Sequence, residues 1–127
     1  MSMFAGNRQL TMKEELIKLQ ATSADIEAAA VITLDGLILS STLPDSTEED
    51  RVSAMSAALL SLAERISLEL GRGYLEQVFI RGTSGDVLLM SVADQAVLTV
   101  MSKREAKLGM LVFYMRRCAK ELSALFE

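Results

Sequence analysis

Residues Ala28–Ser41, AAAVITLDGLILSS, contain the pattern that decides the fold. An apolar run whose single polar member is Thr33 leads to Asp35 and Gly36, and a second apolar run follows. Asp-Gly between two such runs predicts a β-hairpin with a type I′ turn, because both central residues of that turn need a positive φ. Gly36 adopts a positive φ without steric cost and Asp35 at little cost.

The first strand of this hairpin does not alternate between apolar and polar residues. Ala29, Ala30, Val31 and Ile32 are consecutive, so their side chains would point to both faces of a sheet. A strand that is apolar on both faces is usually covered on both. The sequence therefore predicts an inner strand with helices above and below the sheet.

Composition favours one globular domain without a cofactor. The chain has 127 residues, of which half are hydrophobic and 24% are charged. The net charge of −4 does not favour a nucleic-acid partner. Cys118 is the single cysteine and histidine is absent, so an internal disulfide is excluded and a zinc site is implausible.

The same sequence has no long apolar segment. No apolar run reaches the roughly 20 residues of a membrane helix, and the first ten residues lack the apolar core of a signal peptide. We therefore expect a cytoplasmic protein without membrane insertion. Residues 1–10 are expected to form a flexible lead-in, and residues 11–127 a single domain.

Apolar periodicity predicts three helices and three further strands. Thr11 and Glu14 form a capping-box pattern, which predicts a first helix from Thr11 to about residue 22. A middle helix is expected from a cap at Ser46 or Thr47 to the stop at Gly71, a length of roughly 35 Å. Three strands are expected over residues 74–81, 86–92 and 96–101, and a last helix from residues 103–106 to residue 125. On that helix the sequence predicts a buried, inert Cys118, because there is no histidine to activate it.

The apolar surface of the middle helix is too wide for a single contact. Its main stripe consists of Val52, Met55, Leu59, Leu62, Ile66 and Leu70, and alanines widen it. Two interpretations remain open: a helix buried deeply within one domain, or a helix that contacts both its own sheet and a partner helix. Outside the stripe the sequence places two polar clusters, Glu48, Glu49, Arg51, Ser53 and Ser56 near the start and Glu64, Arg65 and Glu69 near the end.

Several local patterns occur in an order that resembles one known family. They are the hairpin over residues 31–41, the Ala57-Ala58 helix ending at residues 69–73, the runs at 87–89 and 96–98, Leu108-Gly109, and the helix over 115–119. Over residues 10–126 this ordered set is similar to the Roadblock / dynein light-chain family. The bacterial and archaeal branch with gliding-motility regulators of MglB type is the most similar.

The resemblance implies an α+β fold and a homodimer. The expected order is α-β-β-α-β-β-β-α, a Roadblock/profilin-like sandwich in which a five-stranded antiparallel sheet has the long middle helix on one face and the two terminal helices on the other. In the implied dimer the middle helices pair and the strands over residues 74–81 join edge to edge. The candidate interface residues are Ala54, Ala57, Ala58, Leu75, Gln77, Val78 and Ile80.

The resemblance also implies a platform that binds a Ras-like small GTPase of MglA type. MglB-type members stimulate GTP hydrolysis by remodelling the GTPase, without an arginine finger. The candidate docking residues are the two polar clusters of the middle helix. The alternative is a structural scaffold or adaptor in a motor, motility or polarity complex, with no effect on nucleotide turnover. An enzyme is disfavoured, because the glycine-containing stretches at 71–73 and 82–85 lack the lysine and spacing of a P-loop.

Overall fold

The computed structural model describes residues 2–127, and the side chains of residues 7–127. Its elements follow the predicted order. They are α1 (Ser2–Thr22), β1 (Ile26–Thr33), β2 (Ile38–Ser41), α2 (Glu49–Glu69), β3 (Val78–Arg81), β4 (Asp86–Val92), β5 (Ala96–Ser102) and α3 (Leu108–Ser123), followed by a short 3₁₀ helix at Ala124–Phe126.

The five strands form one antiparallel sheet with the order β2-β1-β5-β4-β3. This confirms the predicted fold class. Strands β2 and β3 are the two edges, and β3 is paired on one side only, through Val78 with Leu89 and Ile80 with Val87. Its other side therefore presents unpaired backbone groups, which is the usual starting point for pairing with another strand.

Strand β1 is buried on both faces, as its sequence predicts. Ala29 and Val31 belong to a large core with residues of α1 and α3, whereas Ala30 and Ile32 belong to a smaller core with Leu60 of α2. The terminal helices thus cover one face of the sheet and α2 covers the other. The core beneath α2 is much the smaller of the two, so α2 buries only part of its own apolar surface.

The predicted type I′ turn at Asp35-Gly36 is wrong. Gly36 has a φ of +94°, but Asp35 does not have a positive φ. The N–H of Gly36 donates to the carbonyl of Thr33 at 3.0 Å, and the N–H of Thr33 donates to the carbonyl of Leu37 at 2.8 Å. The loop therefore has three residues, and a three-residue hairpin loop needs a positive φ only at its last position.

Two helix starts also differ from the prediction. Helix α1 begins at Ser2, and Thr11 lies inside it, where its hydroxyl donates to the carbonyl of Asn7 at 2.9 Å. Thr11 is therefore not an N-cap, because the chain before it is already helical. The N-cap of α2 is Glu48, without a side-chain cap bond, since residues 44–47 form a separate turn closed by the N–H of Thr47 and the carbonyl of Pro44.

The predicted end of α2 at Gly71 is confirmed. Gly71 has a φ of +70° and its N–H donates to the carbonyl of Leu68 at 3.1 Å. The N–H of Arg72 donates to the carbonyl of Ser67 at 2.8 Å. These two bonds form a Schellman motif, which satisfies the last carbonyl groups of the helix and turns the chain towards the sheet.

Strand β3 is shorter than predicted, and α3 begins later. Only Val78–Arg81 pairs with β4, because Leu75 leaves the line of the strand and packs on the small core beneath α2. Helix α3 begins at Leu108, since the preceding residues form a turn in which the N–H of Ala106 donates to the carbonyl of Lys103 at 3.1 Å.

Candidate functional site

Helix α2 contacts its own sheet through a narrow strip of mostly small residues. Ser53, Ser56, Ala57 and Leu60 are its buried members, and they share one side of the helix. The hydroxyl of Ser53 is satisfied by the carbonyl of Asp50, to which it donates at 3.0 Å. Three small side chains in this strip let the helix lie close to the sheet.

Three predicted roles are corrected by this packing. Ser53 and Ser56 were expected among the docking residues, but both are buried beneath the helix, so neither reaches a partner. Ala57 was expected in a dimer interface and is instead buried against the sheet of its own chain. The polar side chain of serine misled the prediction, because a serine that bonds to its own helix backbone can face a core.

Most of the predicted apolar stripe of α2 faces outward, whereas Val52 and Leu59 are half-buried and Leu59 packs against the core beneath α2. Met55, Leu62 and Ile66 are 58%, 53% and 50% exposed. At 100° per residue they lie on the side of the helix opposite Ser53 and Leu60, and exposed Ala58 lies between them. We call Met55, Ala58, Leu62 and Ile66 the outer stripe. The sequence contained the signal for this arrangement in the spacing of the small residues 53, 56 and 57, but the larger apolar residues hid it.

Charged side chains flank the outer stripe at both ends. Arg51 pairs with Glu48 at 3.1 Å, and Arg65 pairs with Glu69 at 3.8 Å, each pair being well exposed. Surface pairs of this kind contribute at most about 1 kcal/mol. Both arginines can therefore exchange these partners for groups on another protein. The remaining predicted docking residues of this helix, Glu49 and Glu64, are also exposed, and Glu49 accepts a hydrogen bond from the hydroxyl of Ser41.

A shallow apolar groove joins the outer stripe to the open edge of β3. Its volume is about 320 Å³, and its apolar lining consists of Ala63, Ile66, Leu70, Leu75 and Val78. Gln77 also lines the groove, and its Oε1 is buried without a hydrogen-bond partner in the part of the chain that the structure describes. A buried acceptor without a donor is costly, so this groove favours a surface that supplies one.

Most of the predicted interface residues lie in two neighbouring parts of the structure, β3 with the segment before it and α2. Leu75, Gln77, Val78 and Ile80 lie along the segment that enters β3 and on β3 itself, and Ile80 is 41% exposed. Ala54 and Ala58 are exposed on α2. Together with the outer stripe, they form a continuous apolar surface from α2 to the sheet edge.

Cys118 is confirmed as buried. Burial, together with the smaller effect of the nearby carboxylates of Glu15 and Glu121, raises the pKa of its thiol to about 12. The thiolate, which is the nucleophilic form, is therefore suppressed at neutral pH. Among the side chains that the structure describes, no three potential ligands lie close enough to hold a metal ion.

The structure is a sandwich of one antiparallel sheet between α2 and the terminal helices, with an exposed apolar stripe on the outward side of α2. The Roadblock/LC7 domain profile matches residues 12–102, which is most of the chain, and the chain belongs to this family. The protein MJ1340 of Methanocaldococcus jannaschii is 35% identical over 111 residues, which cover 87% of this chain and 96% of that protein.

Solved structures that share the fold include a Roadblock/LC7 domain and MglB. The Roadblock/LC7 domain from Streptomyces avermitilis has a TM-score of 0.84 at 22% identity and covers 90% of this chain and 96% of its own. MglB of Myxococcus xanthus has a TM-score of 0.84 at 14% identity and covers 91% of this chain and 94% of its own. At identities this low, the TM-scores show a common fold and nothing more. In the residues that the structure describes, no helix has the length and apolar character needed to cross a membrane.

Proposed function

We propose that the protein is a homodimeric platform that binds a Ras-like small GTPase and stimulates its GTP hydrolysis. The observation that carries this proposal is the continuous apolar surface from the outer stripe of α2 to the unpaired edge of β3. Roadblock/LC7 domains generally act as non-catalytic adaptors, and the likeness to MglB supports a regulator of this kind.

A second copy of the chain fits this surface, because an apolar groove and an open strand edge can each pair with the same feature of another copy. An edge strand can pair with the same edge of a partner around a two-fold axis, which extends the sheet. Such pairing would bring the two grooves together and cover Ile66, Leu70 and Val78. It would also bring backbone N–H groups or a second amide towards the unsatisfied Oε1 of Gln77.

The GTPase would dock on the charged ends of the paired α2 helices. Arg51 and Arg65 are exposed, lie on the outward side of α2, and are held only by weak pairs with Glu48 and Glu69. Arginine is enriched at protein interfaces and among residues that dominate binding energy. A dimer presents two copies of each arginine, which widens the platform beyond what one chain offers.

The test is a titration of the wild-type protein and two variants against GTP-loaded Ras-like small GTPases of MglA type from the source organism. Arg51→Glu and Arg65→Glu should each weaken binding by about tenfold or more while the dimer remains intact, because each reverses a charge in the contact. Lys120→Glu on α3 is the matched control and should bind as the wild type does. Unchanged affinity in both arginine variants would show that the GTPase does not dock on α2.

A second measurement separates a regulator from a scaffold. Single-turnover GTP hydrolysis by the GTPase should accelerate when the wild-type protein is added, and the acceleration should saturate with the measured affinity. Binding without acceleration would leave the scaffold function. Absence of binding in both nucleotide states would contradict the whole proposal.

A further inference from the structure

Most basic residues of this chain lie in the two terminal segments. The segments that contain α1 and α3, residues 1–22 and 103–127, carry nine of the thirteen basic residues but only five of the seventeen acidic ones. The remaining residues, which include α2 and the sheet, carry four basic and twelve acidic residues. The net charge of −4 does not reveal this asymmetry, because it sums over the whole chain. Helices α1 and α3 lie on one face of the sheet and α2 on the other, and we call the basic residues of the two terminal segments the basic layer.

The basic layer is concentrated on and around α3. Residues 103–123 contain two acidic residues, Glu105 and Glu121, against six basic residues, all of them exposed: Lys103, Arg104, Lys107, Arg116, Arg117 and Lys120. Arg116 pairs with Glu76 at 3.5 Å, and both side chains of this pair are well exposed. At a rise of 1.5 Å per residue, the distance along α3 from its N-cap Lys107 to Lys120 is roughly 20 Å, and Lys103 and Arg104 lie in the turn before the helix.

Exposed apolar side chains stand among these cations. Met110 and Phe113 are 46% and 55% exposed on the outward side of α3, opposite the buried Leu111, Met115 and Leu122. The guanidinium of Arg117 lies 5.6 Å from the ring centre of Phe113. We call Met110, Phe113, Arg116, Arg117 and Lys120 the α3 face.

We propose that the α3 face binds the surface of an anionic lipid bilayer. Basic residues interspersed with an aromatic and an aliphatic side chain are typical of helices that lie in the membrane interface. The cations would contact lipid phosphates and carboxylates, while Met110 and Phe113 reach the level of the headgroups.

A planar bilayer matches this face better than an acidic protein does. The outward side of a helix is convex, and Arg116, Arg117 and Lys120 lie within roughly 100° of its circumference, so they can contact several headgroups at once without a matching cavity. Binding through this face would direct α2 away from the membrane, because α2 covers the other face of the sheet. The surface proposed for the GTPase would then remain accessible, although the bilayer contact itself does not depend on that proposal.

The experiment is sedimentation of the full chain with vesicles of phosphatidylcholine alone or with about one third phosphatidylserine, in low and high salt. The wild type should bind the anionic vesicles, bind the neutral ones at least tenfold more weakly, and dissociate as salt rises. Arg117→Gln with Lys120→Gln should lower partitioning about 25-fold, since each cation near an anionic surface contributes about fivefold. Phe113→Ala should lower the partitioning that remains at high salt, where the charges are screened.

The matched control is Arg51→Gln with Arg65→Gln on α2, which removes the same charge from the opposite face. This control should partition as the wild type does, and circular dichroism should show that all variants are folded. Equal loss in the control, or equal binding to neutral and anionic vesicles, would overturn the proposal. Binding to polyglutamate or duplex DNA without binding to vesicles would overturn it as well and would assign the face to an acidic macromolecule.

Discussion

The backbone of Gly36 lies against the backbone of Ala54. A Cβ atom added to Gly36 would lie 3.2 Å from the Cα of Ala54, which is closer than ordinary van der Waals contact. Gly36 also has a φ of +94°. The loop that joins β1 to β2 therefore packs directly on the first half of α2, and glycine is needed there for two separate reasons.

Gly36→Ala should destabilise the protein by about 2 kcal/mol, because it adds left-handed backbone strain and a close contact. Urea unfolding of the variant and the wild type measures this. Gly71→Ala is the matched control: Gly71 has a φ of +70° but nothing lies within 4 Å of its added Cβ. The control should lose only about 1 kcal/mol, and equal losses would show that the contact with Ala54 has no energetic weight.

Leu62→Lys should dissociate the proposed dimer and leave each chain folded. Leu62 is 53% exposed in the single chain, so the lysine side chain is solvated there, whereas in a paired α2 it would bury a charge. Light scattering at micromolar concentration should fall from about twice the chain mass to one chain mass. Ile17→Lys, at an equally exposed position on α1, should remain dimeric. A monomeric wild type would contradict the dimer outright.

Ala93→Gly should stabilise the protein by about 0.5 kcal/mol. Ala93 and Asp94 have φ values of 54° and 55° in the turn between β4 and β5, where a Cβ atom is strained. Relief of that strain exceeds the extra entropy that glycine has in the unfolded chain. Thermal unfolding measures the change. Ala21→Gly in the last turn of α1 should destabilise the protein, because its position is helical and glycine has a lower helix propensity than alanine. A destabilised Ala93→Gly would show that the turn is unstrained.

Stability should fall with rising pH above about 9 because of Cys118. Its thiol has a folded-state pKa of about 12 against an ordinary value of 9.0. Between these values the unfolded chain loses the proton while the folded chain keeps it, so the unfolded state gains stability as pH rises. From pH 8 to 11 the free energy of unfolding of the wild type should therefore fall relative to that of Cys118→Ala, which lacks the thiol. A constant difference across this range would show that the thiol titrates alike in both states.

The order of elements was predictable because it depends on local patterns. The Asp-Gly hairpin, the apolar run of β1 and the glycine stop at Gly71 each specify an element through their own neighbours, and the structure places each where the sequence predicts it. The starts of α1 and α2 were not predictable to the same degree. Threonine is a preferred N-cap residue, but the conformation of the residues before Thr11 decides whether Thr11 caps a helix or lies within one.

The sequence by itself determined that α2 has more apolar surface than one sheet can cover. Only the tertiary structure decided which side is covered, since Ser53, Ser56 and Ala57 let the helix approach the sheet and Met55, Leu62 and Ile66 do not. The same holds for charge. The sequence determined the number of basic residues, whereas the stacking of α1 and α3 on one face of the sheet gathered most of them into a single layer. Periodicity records which residues share a side of a helix, but close packing against a particular neighbour selects the side that is buried.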